Sequence, residues 1–198
     1  MFWHRKYPVL HTQRLILRLP ERADYAAWAE VRRASVDFLA PWGPVRKSAY
    51  LSQKSFKRGV FSGKRAAIKQ ISYSFMLIPR THGQVVGGIT LNNIQGGVSQ
   101  ACAIGYWIGE EFARQGYMHE ALNAVVHYAF STLDISRIQA GCLPENAPSR
   151  ALLEKSGFKY EGVAQSYLQI AGRWRNHVLY AKLRSDRAAD AGEADGAE

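Results

Sequence analysis

The residues best suited to chemistry lie between Tyr106 and Met118, where an apolar run meets an amphipathic segment. Gln115 and Gly116 mark a turn at that junction, and Arg114 stands beside it. The first N–H groups of a helix have no partner inside the helix, so a helix that begins here offers hydrogen-bond donors and a positive dipole end to an anion. The missing side chain of Gly116 would let a diphosphate approach the main chain. The segment indicates an anion site, and an ordinary turn without a ligand is the alternative.

A second polar cluster follows the apolar run that ends at Leu143. Asn146 and Ser149 are three residues apart with Pro148 between them, a pattern typical of a helix capped by asparagine with proline in its first turn. Capping alone accounts for these residues. The two clusters are more informative together than either is alone, because one predicted helix and one predicted strand separate them along the chain.

Hydrophobic periodicity predicts the elements that position both clusters. Strands are predicted over Thr12–Leu19, Ile71–Ile78, Val85–Ile94, Ala101–Ile108 and Ser136–Leu143, with a hairpin over Phe158–Leu183. Helices are predicted after Pro20, over about Ala49–Gly59, along the stripe Leu122–Leu133 and over Pro148–Lys155. This order predicts an α/β (α+β) fold with a mixed, mostly antiparallel, twisted sheet of about six to seven strands and helices on both faces.

The composition of the 198 residues, 47% hydrophobic and 21% charged, predicts one globular domain and excludes a disordered, collagen-like or coiled-coil chain. We place that domain at 1–183 and expect a disordered acidic tail at 184–198. No apolar run approaches the ~18 residues of a membrane span, and no signal core follows the N-terminus, so we expect a cytoplasmic protein. Cys102 and Cys142 suggest neither a disulfide framework nor a zinc site, and no metal is expected.

The net charge of +10 favours polyanionic partners such as nucleic acid, a ribonucleoprotein or a phosphorylated cofactor. Five acidic and two basic residues fall within 184–198, so the body of the chain carries about +13. The minimum motifs of α/β-hydrolases, P-loop nucleotidases and dinucleotide-binding domains are absent from the sequence.

Together the two clusters resemble the acetyl-CoA site of the Gcn5-related N-acetyltransferase (GNAT) superfamily. Further segments resemble the ribosomal-protein-alanine N-acetyltransferases of the RimJ/RimL type, and RimJ most of all, over about residues 1–183. These segments are Met1-Phe2 with Arg5, Thr12–Leu15, Phe38–Arg46, Gly116–Met118 with Glu120–Leu122, and Tyr167–Ile170 with Gly172, Trp174, Arg175 and His177–Leu179. The resemblance implies a GNAT fold that transfers acetyl from acetyl-CoA to the N-terminal alanine of a ribosomal protein such as S5.

The resemblance also implies a set of coenzyme contacts. It assigns pantetheine contacts to the backbone of Tyr106 and Ile108, and the thioester end to Asn146 and Ser149. It assigns the pyrophosphate to Arg114, Gln115, Gly116, Tyr117 and Met118. A backbone N–H near Ile108 or Gly109 would polarise the thioester, which requires that strand to separate from its neighbour.

The sequence departs from the superfamily at three positions. Ala113 replaces the leading arginine or glutamine of the phosphate turn, and Met118 replaces its closing glycine or alanine, so Arg114 must supply the positive charge. Leu153 stands where many members have a tyrosine that acts as general acid. Ser149 is the predicted substitute, with Tyr167 as the next candidate.

The predicted chemistry is direct transfer without a covalent intermediate, and its base is the least defined part. An α-amine with a pKa near ~7.8 is partly neutral at pH 7, unlike a lysine amine near ~10.4, so it tolerates a weak base. The carboxylates that the sequence offers are Glu110, Glu111 and Glu161, of which Glu111 is the candidate base, and a water relay would also suffice. Trp42 and Arg46 are the predicted acceptor contacts.

Two other functions remain open on the sequence. A small-amine or antibiotic acetyltransferase would use the same cofactor half and differ around Pro41–Arg46. A ribosome-binding assembly factor would use the basic stretch Lys54–Lys69, and RNA contact through this surface could coexist with catalysis. The chain is expected to be a monomer or a homodimer.

Overall fold

The computed structural model describes residues 7–186. The motif at residues 1–5 and most of the predicted tail, 187–198, lie outside the described residues. At the beginning of that tail, Nε of Arg184 donates a hydrogen bond of 2.9 Å to the carbonyl of Ile135. The tail's first residue is therefore held against the domain.

Across residues 7–186, eight strands form one sheet in the order β1-β2-β3-β4-β5-β6-β8-β7. They are β1 (Val9–His11), β2 (Leu15–Arg18), β3 (Tyr73–Pro79), β4 (Gly87–Gln95), β5 (Ala101–Ile108), β6 (Arg137–Cys142), β7 (Lys159–Ile170) and β8 (Arg173–Leu183). Only β5 and β6 pair in parallel. The predicted mixed sheet is confirmed, and its strand count is slightly above the prediction because the three-residue β1 pairs with β2 ahead of the predicted first strand.

Five α-helices accompany the sheet within residues 7–186. They are α1 (Tyr25–Ala34), α2 (Val36–Leu39), α3 (Gln53–Ile68), α4 (Tyr117–Ser131) and α5 (Ala147–Lys155). Helix α3 continues nine residues beyond the predicted end at Gly59, because Val60 and Ala67 bury their side chains and extend its packed face. Its first turn is capped by Ser52, whose hydroxyl accepts from the N–H of Ser55.

Alternate residues of β3 show that helices cover both faces of the sheet. Phe75 and Leu77 pack in the cluster that contains the apolar stripe of α4. Met76 and Ile78 pack in a second cluster with Trp28 of α1 and with α3. Since neighbouring side chains of a strand point to opposite faces, α4 lies on one face and α1 and α3 on the other.

The parallel pair β5–β6 places the two predicted site clusters together. Parallel strands end at the same edge of a sheet. Helix α4 follows β5 and α5 follows β6, so both helices begin near that edge. Among the residues described, no helix is long and apolar enough to cross a membrane.

Candidate active site

The separation of β5 from β6 creates the opening of the candidate site. The strands pair only from Ala101 to Ile104 of β5. Beyond this point β5 stays with β4 as far as Ile108, and β6 stays with β8 to its own end. We call the space between the two strand ends the strand gap. It is the separation that the sequence-based mechanism required.

Backbone groups of β5 face the strand gap at every second residue. In an antiparallel pair, residues alternate between those that exchange hydrogen bonds with the partner and those that point away. The N–H of Gly109 donates to the carbonyl of Val86 at 2.9 Å, and Ile108 lies opposite Gly87. Gly109 and Trp107 therefore direct their backbone groups toward β4. The N–H and C=O groups of Ile108 and Tyr106 point the other way, into the gap. Of the two N–H groups predicted to polarise the thioester, only that of Ile108 is available, because the N–H of Gly109 already donates to Val86.

Residues 113–118, which we call the anion turn, join β5 to α4 through two positions of positive φ. The φ angle is 61° at Arg114 and 81° at Gly116. Helix α4 begins at Tyr117 with no side-chain hydrogen bond at its N-cap. Its first N–H groups and its dipole are therefore available to an anion. A Cβ on Gly116 would lie 3.1 Å from Nη2 of Arg14, so space as well as φ favours glycine here.

The side chains of the anion turn divide between solvent and core. Arg114 and Gln115 are exposed, Tyr117 is half-buried and Met118 is buried. Nε2 of Gln115 donates to the carbonyl of Glu111 at 2.8 Å. Of this group, Arg114 alone offers a positively charged side chain, and Met118 can offer an anion only its backbone N–H.

Arg14 braces the anion turn, although sequence reasoning did not place it in the site. Its Nη1 donates to the carbonyl of Gln115 at 2.9 Å, and its Nε and backbone N–H donate to the carboxylate of Glu120, each at 2.7 Å. Its guanidinium also lies 4.8 Å from the ring centroid of Tyr117. Burial acts to raise the pKa of Glu120, but hydrogen bonds from Thr12 and Arg14 outweigh it, and that pKa lies below its usual value.

Ser149 lies in the first turn of α5 and contacts β5. Its Oγ is 2.8 Å from the phenol oxygen of Tyr106, and either hydroxyl can donate. Oδ1 of Asn146 accepts from the N–H of Ser149 at 3.1 Å, so the Asn146 side chain caps α5. The structure thus joins Tyr106 and Ser149, one from each side of the strand gap.

The Tyr106 phenol and the two thiols, of which Cys142 lies at this contact, keep their protons at neutral pH. Burial raises the pKa of the Tyr106 phenol above its ordinary value. Burial likewise raises the pKa of Cys142, whose thiol interacts with Ser149, and that of Cys102 to about 12. Because the thiolate is the nucleophilic form of cysteine, neither thiol is suited to forming an acyl-enzyme at neutral pH.

Tyr167 and Glu111, the other two predicted catalytic residues, occupy different surroundings. The half-exposed ring of Tyr167 lies over β6, where a Cβ on Gly141 would be 3.8 Å from its Cε1. Its centroid is 5.5 Å from that of His177. Glu111 is exposed in the turn after β5, and among residues 7–186 its carboxylate has no hydrogen-bond or ion-pair partner. The structure brings Tyr167 beside the gap and does not bring Glu111 into contact with Ser149.

Trp42 and Arg46 belong to residues 40–46, which we call the roof loop. The N–H of Ala171 donates to the carbonyl of Gly43 at 3.0 Å. This bond joins the roof loop, which follows α1 and α2, to the turn between β7 and β8. The roof loop therefore crosses from the β5 side of the strand gap to the β6 side.

Residues 167–174, the hairpin tip, carry three exposed apolar side chains. Tyr167, Leu168 and Trp174 are 48%, 47% and 65% exposed. Trp42, 37% exposed, lies in the roof loop that contacts this tip. Because Trp174 pairs with Gln169, Trp174 and Leu168 lie on opposite faces of the hairpin, and the three side chains of the tip do not form one continuous patch.

The sequence from residue 14 to residue 159 matches the family described as the acetyltransferase (GNAT) domain. The chain therefore belongs to the GNAT family and is an acetyltransferase. It is similar to the ribosomal protein uS5-alanine N-acetyltransferase of Escherichia coli K12, with 33% identity over 177 residues that cover 89% of this chain and 91% of that protein. The predicted family is confirmed.

Two solved structures share this fold. The ribosomal-protein-S5-alanine acetyltransferase of Vibrio fischeri has a TM-score of 0.84 and 26% identity, covering 90% of this chain and 98% of that one. Mycobacterium smegmatis RimJ in complex with CoA-disulfide has a TM-score of 0.84 and 28% identity, covering 96% of each chain. The predicted fold class is confirmed.

Proposed function

We propose that this acetyltransferase moves an acetyl group from acetyl-CoA to the N-terminal α-amine of a ribosomal protein that begins with alanine. The relatives from E. coli and V. fischeri are named for this reaction on the S5 protein. The observation that carries the proposal is the strand gap, which has unpaired backbone groups along β5 and free helix N–H groups at its edge. A ribosomal acceptor would place the enzyme in the cytoplasm.

The residues around the strand gap fit acetyl-CoA, which supplies the acetyl thioester. The N–H groups of residues 114–118 would hold its diphosphate, because the start of α4 attracts negative charge. The gap-facing N–H and C=O groups of Tyr106 and Ile108 would pair with the amides of pantetheine. The N–H of Ile108 would also polarise the thioester carbonyl, as an oxyanion donor does.

Ser149 is the proposed proton donor to the departing sulfur. As the amine nitrogen bonds to the acetyl carbon, the carbon–sulfur bond breaks and the sulfur requires a proton. The hydroxyl of Ser149 donates that proton, and the phenol of Tyr106, 2.8 Å away, can donate to Ser149 in turn. Tyr167 stays the reserve candidate at the β6 side of the gap.

The α-amine loses its proton through water, with Glu111 as the proposed acceptor. At neutral pH about a tenth of α-amines are already neutral, whereas a lysine amine is neutral about once in a few thousand molecules. Glu111 is a solvated carboxylate at the same edge of the sheet, and a base of this strength is sufficient to deprotonate an α-amine. Trp42 and Arg46 are proposed to contact the acceptor from the roof loop.

The test is acetyl transfer to synthetic peptides. The enzyme, acetyl-CoA and a peptide that begins with alanine should give a product heavier by one acetyl group, located at the N-terminus by fragmentation. The same peptide with a blocked N-terminus and an internal lysine should give none. Polyamines and aminoglycosides, added as competitors, should not be preferred over the peptide. No acetylation of any N-terminal peptide would overturn the proposal.

We also infer that α3 contacts ribosomal RNA. Helix α3 carries five basic residues and no acidic one: Lys54, Lys57, Arg58, Lys64 and Arg65. Phe61, 59% exposed, lies among them and could stack on a base. Binding to a ribosomal RNA fragment should weaken steeply with salt, and replacing Lys54, Lys57 and Arg58 with glutamine should reduce that salt slope. A slope unchanged by these substitutions would contradict the inference.

A further inference from the structure

Two arginines meet at one tyrosine on the α1 face of the sheet. Tyr50 lies in the short helical turn Ser48–Leu51, and the guanidinium carbons of Arg32 and Arg46 are 5.4 Å and 4.3 Å from its ring centroid. Nη2 of Arg32 donates to the Tyr50 hydroxyl at 2.9 Å. The Arg32 guanidinium also lies 4.4 Å from the ring of Trp107. We call Arg32 and Arg46 the arginine pair.

The arginine pair lies beside the end of β5 that borders the strand gap. Trp107 directly precedes Ile108, whose backbone groups face the gap. The end of α1 is packed on the end of β5, since a Cβ on Gly109 would lie 2.6 Å from Cγ1 of Val31. Arg46 ends the roof loop that crosses the gap. Arg32 and Arg46 therefore approach one position from two sides, the first from α1 and the second from the roof.

The arginine pair has no carboxylate partner, which is also true of several other arginines within residues 7–186, Arg33 and Arg114 among them. Arginines paired with a carboxylate are Arg14, Arg18, Arg137, Arg175 and Arg184. Within residues 7–186, neither Arg32 nor Arg46 forms an ion pair. Arg32 is nevertheless half-buried, whereas Arg33, its neighbour on α1, is exposed. Two positive groups held beside one ring repel each other, and a bound carboxylate would relieve that repulsion.

Stacking also fixes the direction of the guanidinium donors. The Arg32 guanidinium lies over Trp107 and donates one N–H group to the phenol of Tyr50. It has four other N–H groups. A guanidinium presents a planar fork of donors that matches both oxygens of a carboxylate. Because the side chain is already ordered, binding costs little additional conformational entropy.

We propose that the arginine pair binds a carboxylate side chain of the acceptor peptide, close behind its N-terminal residue, and so selects acceptors with an early Asp or Glu. This inference rests on the proposed function. One side chain, that of Trp107, separates Arg32 from β5, and an extended peptide advances about 3.3 Å per residue. The favoured acid is therefore expected among about the second to fourth residues.

The experiment compares peptides that begin with alanine and differ only by Glu or Gln at position two, three or four. At one of these positions the wild-type kcat/KM should be about tenfold higher for the Glu peptide, the effect of one charge-assisted hydrogen-bonded contact. Arg32→Gln should remove this preference. Arg33→Gln, which deletes the same charge from the next residue of α1, should keep it. Arg32→Lys should keep only part of it, because lysine lacks the fork.

Two measurements separate the possible failures. Thermal unfolding with and without acetyl-CoA shows whether each variant is folded and binds coenzyme, and Arg46→Gln serves as the second test if Arg32→Gln is unstable. Calorimetric binding of Glu and Gln peptides to the CoA-bound enzyme reports the preference without turnover. A Glu preference in binding with no acetyl transfer would contradict the proposed function and support the arginine pair. Equal Glu-to-Gln ratios in wild type and Arg32→Gln, in binding and turnover, would overturn the inference.

Discussion

The two sides of the strand gap are lined by different kinds of chemical group. The proposed coenzyme side consists of backbone groups: the N–H groups that begin α4 and the gap-facing amides of Tyr106 and Ile108. The proposed acceptor side consists of side chains, mostly aromatic and cationic, from α1, the roof loop and the hairpin tip. Backbone donors are independent of residue type, so a site made from them tolerates sequence change.

This difference explains why two departures from the superfamily pattern are compatible with the fold. Ala113 and Met118 stand in the anion turn, yet the groups required there are N–H groups that every non-proline residue has. Arg14 braces the turn through the carbonyl of Gln115, which is also a backbone group. On the acceptor side a change of side chain changes the surface itself. Specificity should therefore reside on that side.

The largest expected effect is that of Gly116→Val. The φ of 81° disfavours a β-branched residue, and the new side chain would meet Arg14 and the diphosphate position. Acetyl-CoA affinity should fall at least about a hundredfold, as measured by calorimetry. Gly97→Val is the matched control, because Gly97 has a φ of 62° but open space around its Cβ. Equal acetyl-CoA affinity in the two variants would contradict the proposal that backbone groups of the anion turn bind the coenzyme.

A smaller effect, confined to turnover, is expected for Ser149→Ala. In the proposed mechanism the hydroxyl protonates the leaving sulfur and the main chain holds the coenzyme, so kcat should fall about ten- to a hundredfold with little change in acetyl-CoA affinity. Tyr106→Phe should lower kcat less, because it removes only the second hydroxyl. Single-turnover kinetics with a peptide beginning with alanine measures both. Equal losses in kcat and affinity would contradict the role of Ser149.

The next effect is that of Arg114→Gln on coenzyme binding. Arg114 is the exposed cation of the anion turn, and exposed charges contribute weakly in salt solution. Acetyl-CoA affinity should fall about three- to tenfold at low salt and less at high salt. Arg33→Gln, which changes the net charge equally, should leave this affinity unchanged. A loss as large as that of Gly116→Val would show that side chains dominate the coenzyme side.

The smallest effect is expected for Glu120→Gln and depends on pH. The pKa of Glu120 is lowered in the folded protein, so its contribution to stability is present above the unfolded-state pKa, near ~4.3, and is lost as pH falls through the folded value. The variant should be less stable than wild type at neutral pH by less than about 1 kcal/mol, and the difference should vanish in acid. Urea unfolding at several pH values measures this. A difference that persists in acid would exclude the charge as its cause.

Local patterns were enough to predict most elements of this fold. The stripe Leu122, Val125, Val126, Ala129 and Phe130 is buried on one side of α4, as its spacing predicts. Strand β1 escaped prediction because three residues with only Leu10 half-buried give no alternation to detect. The end of α3 was misplaced because basic residues interrupt its sparse apolar positions.

In the site, too, contacts within one segment could be predicted from the sequence, whereas contacts between distant segments could not. Asn146 and Ser149 share one helical turn, and their spacing alone predicted the cap that the structure shows. The bonds between Arg14 and Glu120 span 106 residues, and the Tyr106–Ser149 contact spans 43. No periodicity within one segment reports such pairs. Arg14 had a single indirect signal, its place in the Thr12–Leu15 motif, and Arg32 and Tyr50 had none.

The backbone bond between Ala171 and Gly43 limits the shape of any acceptor. Because it connects the roof loop to the hairpin tip above the gap, we expect a polypeptide acceptor to enter with its free end first. A frayed first segment of a protein presents such a free end, whereas a loop or a helix on a folded surface does not. Newly made or loosely attached chains, whose first residues have not yet docked, would thus be modified ahead of fully assembled ones.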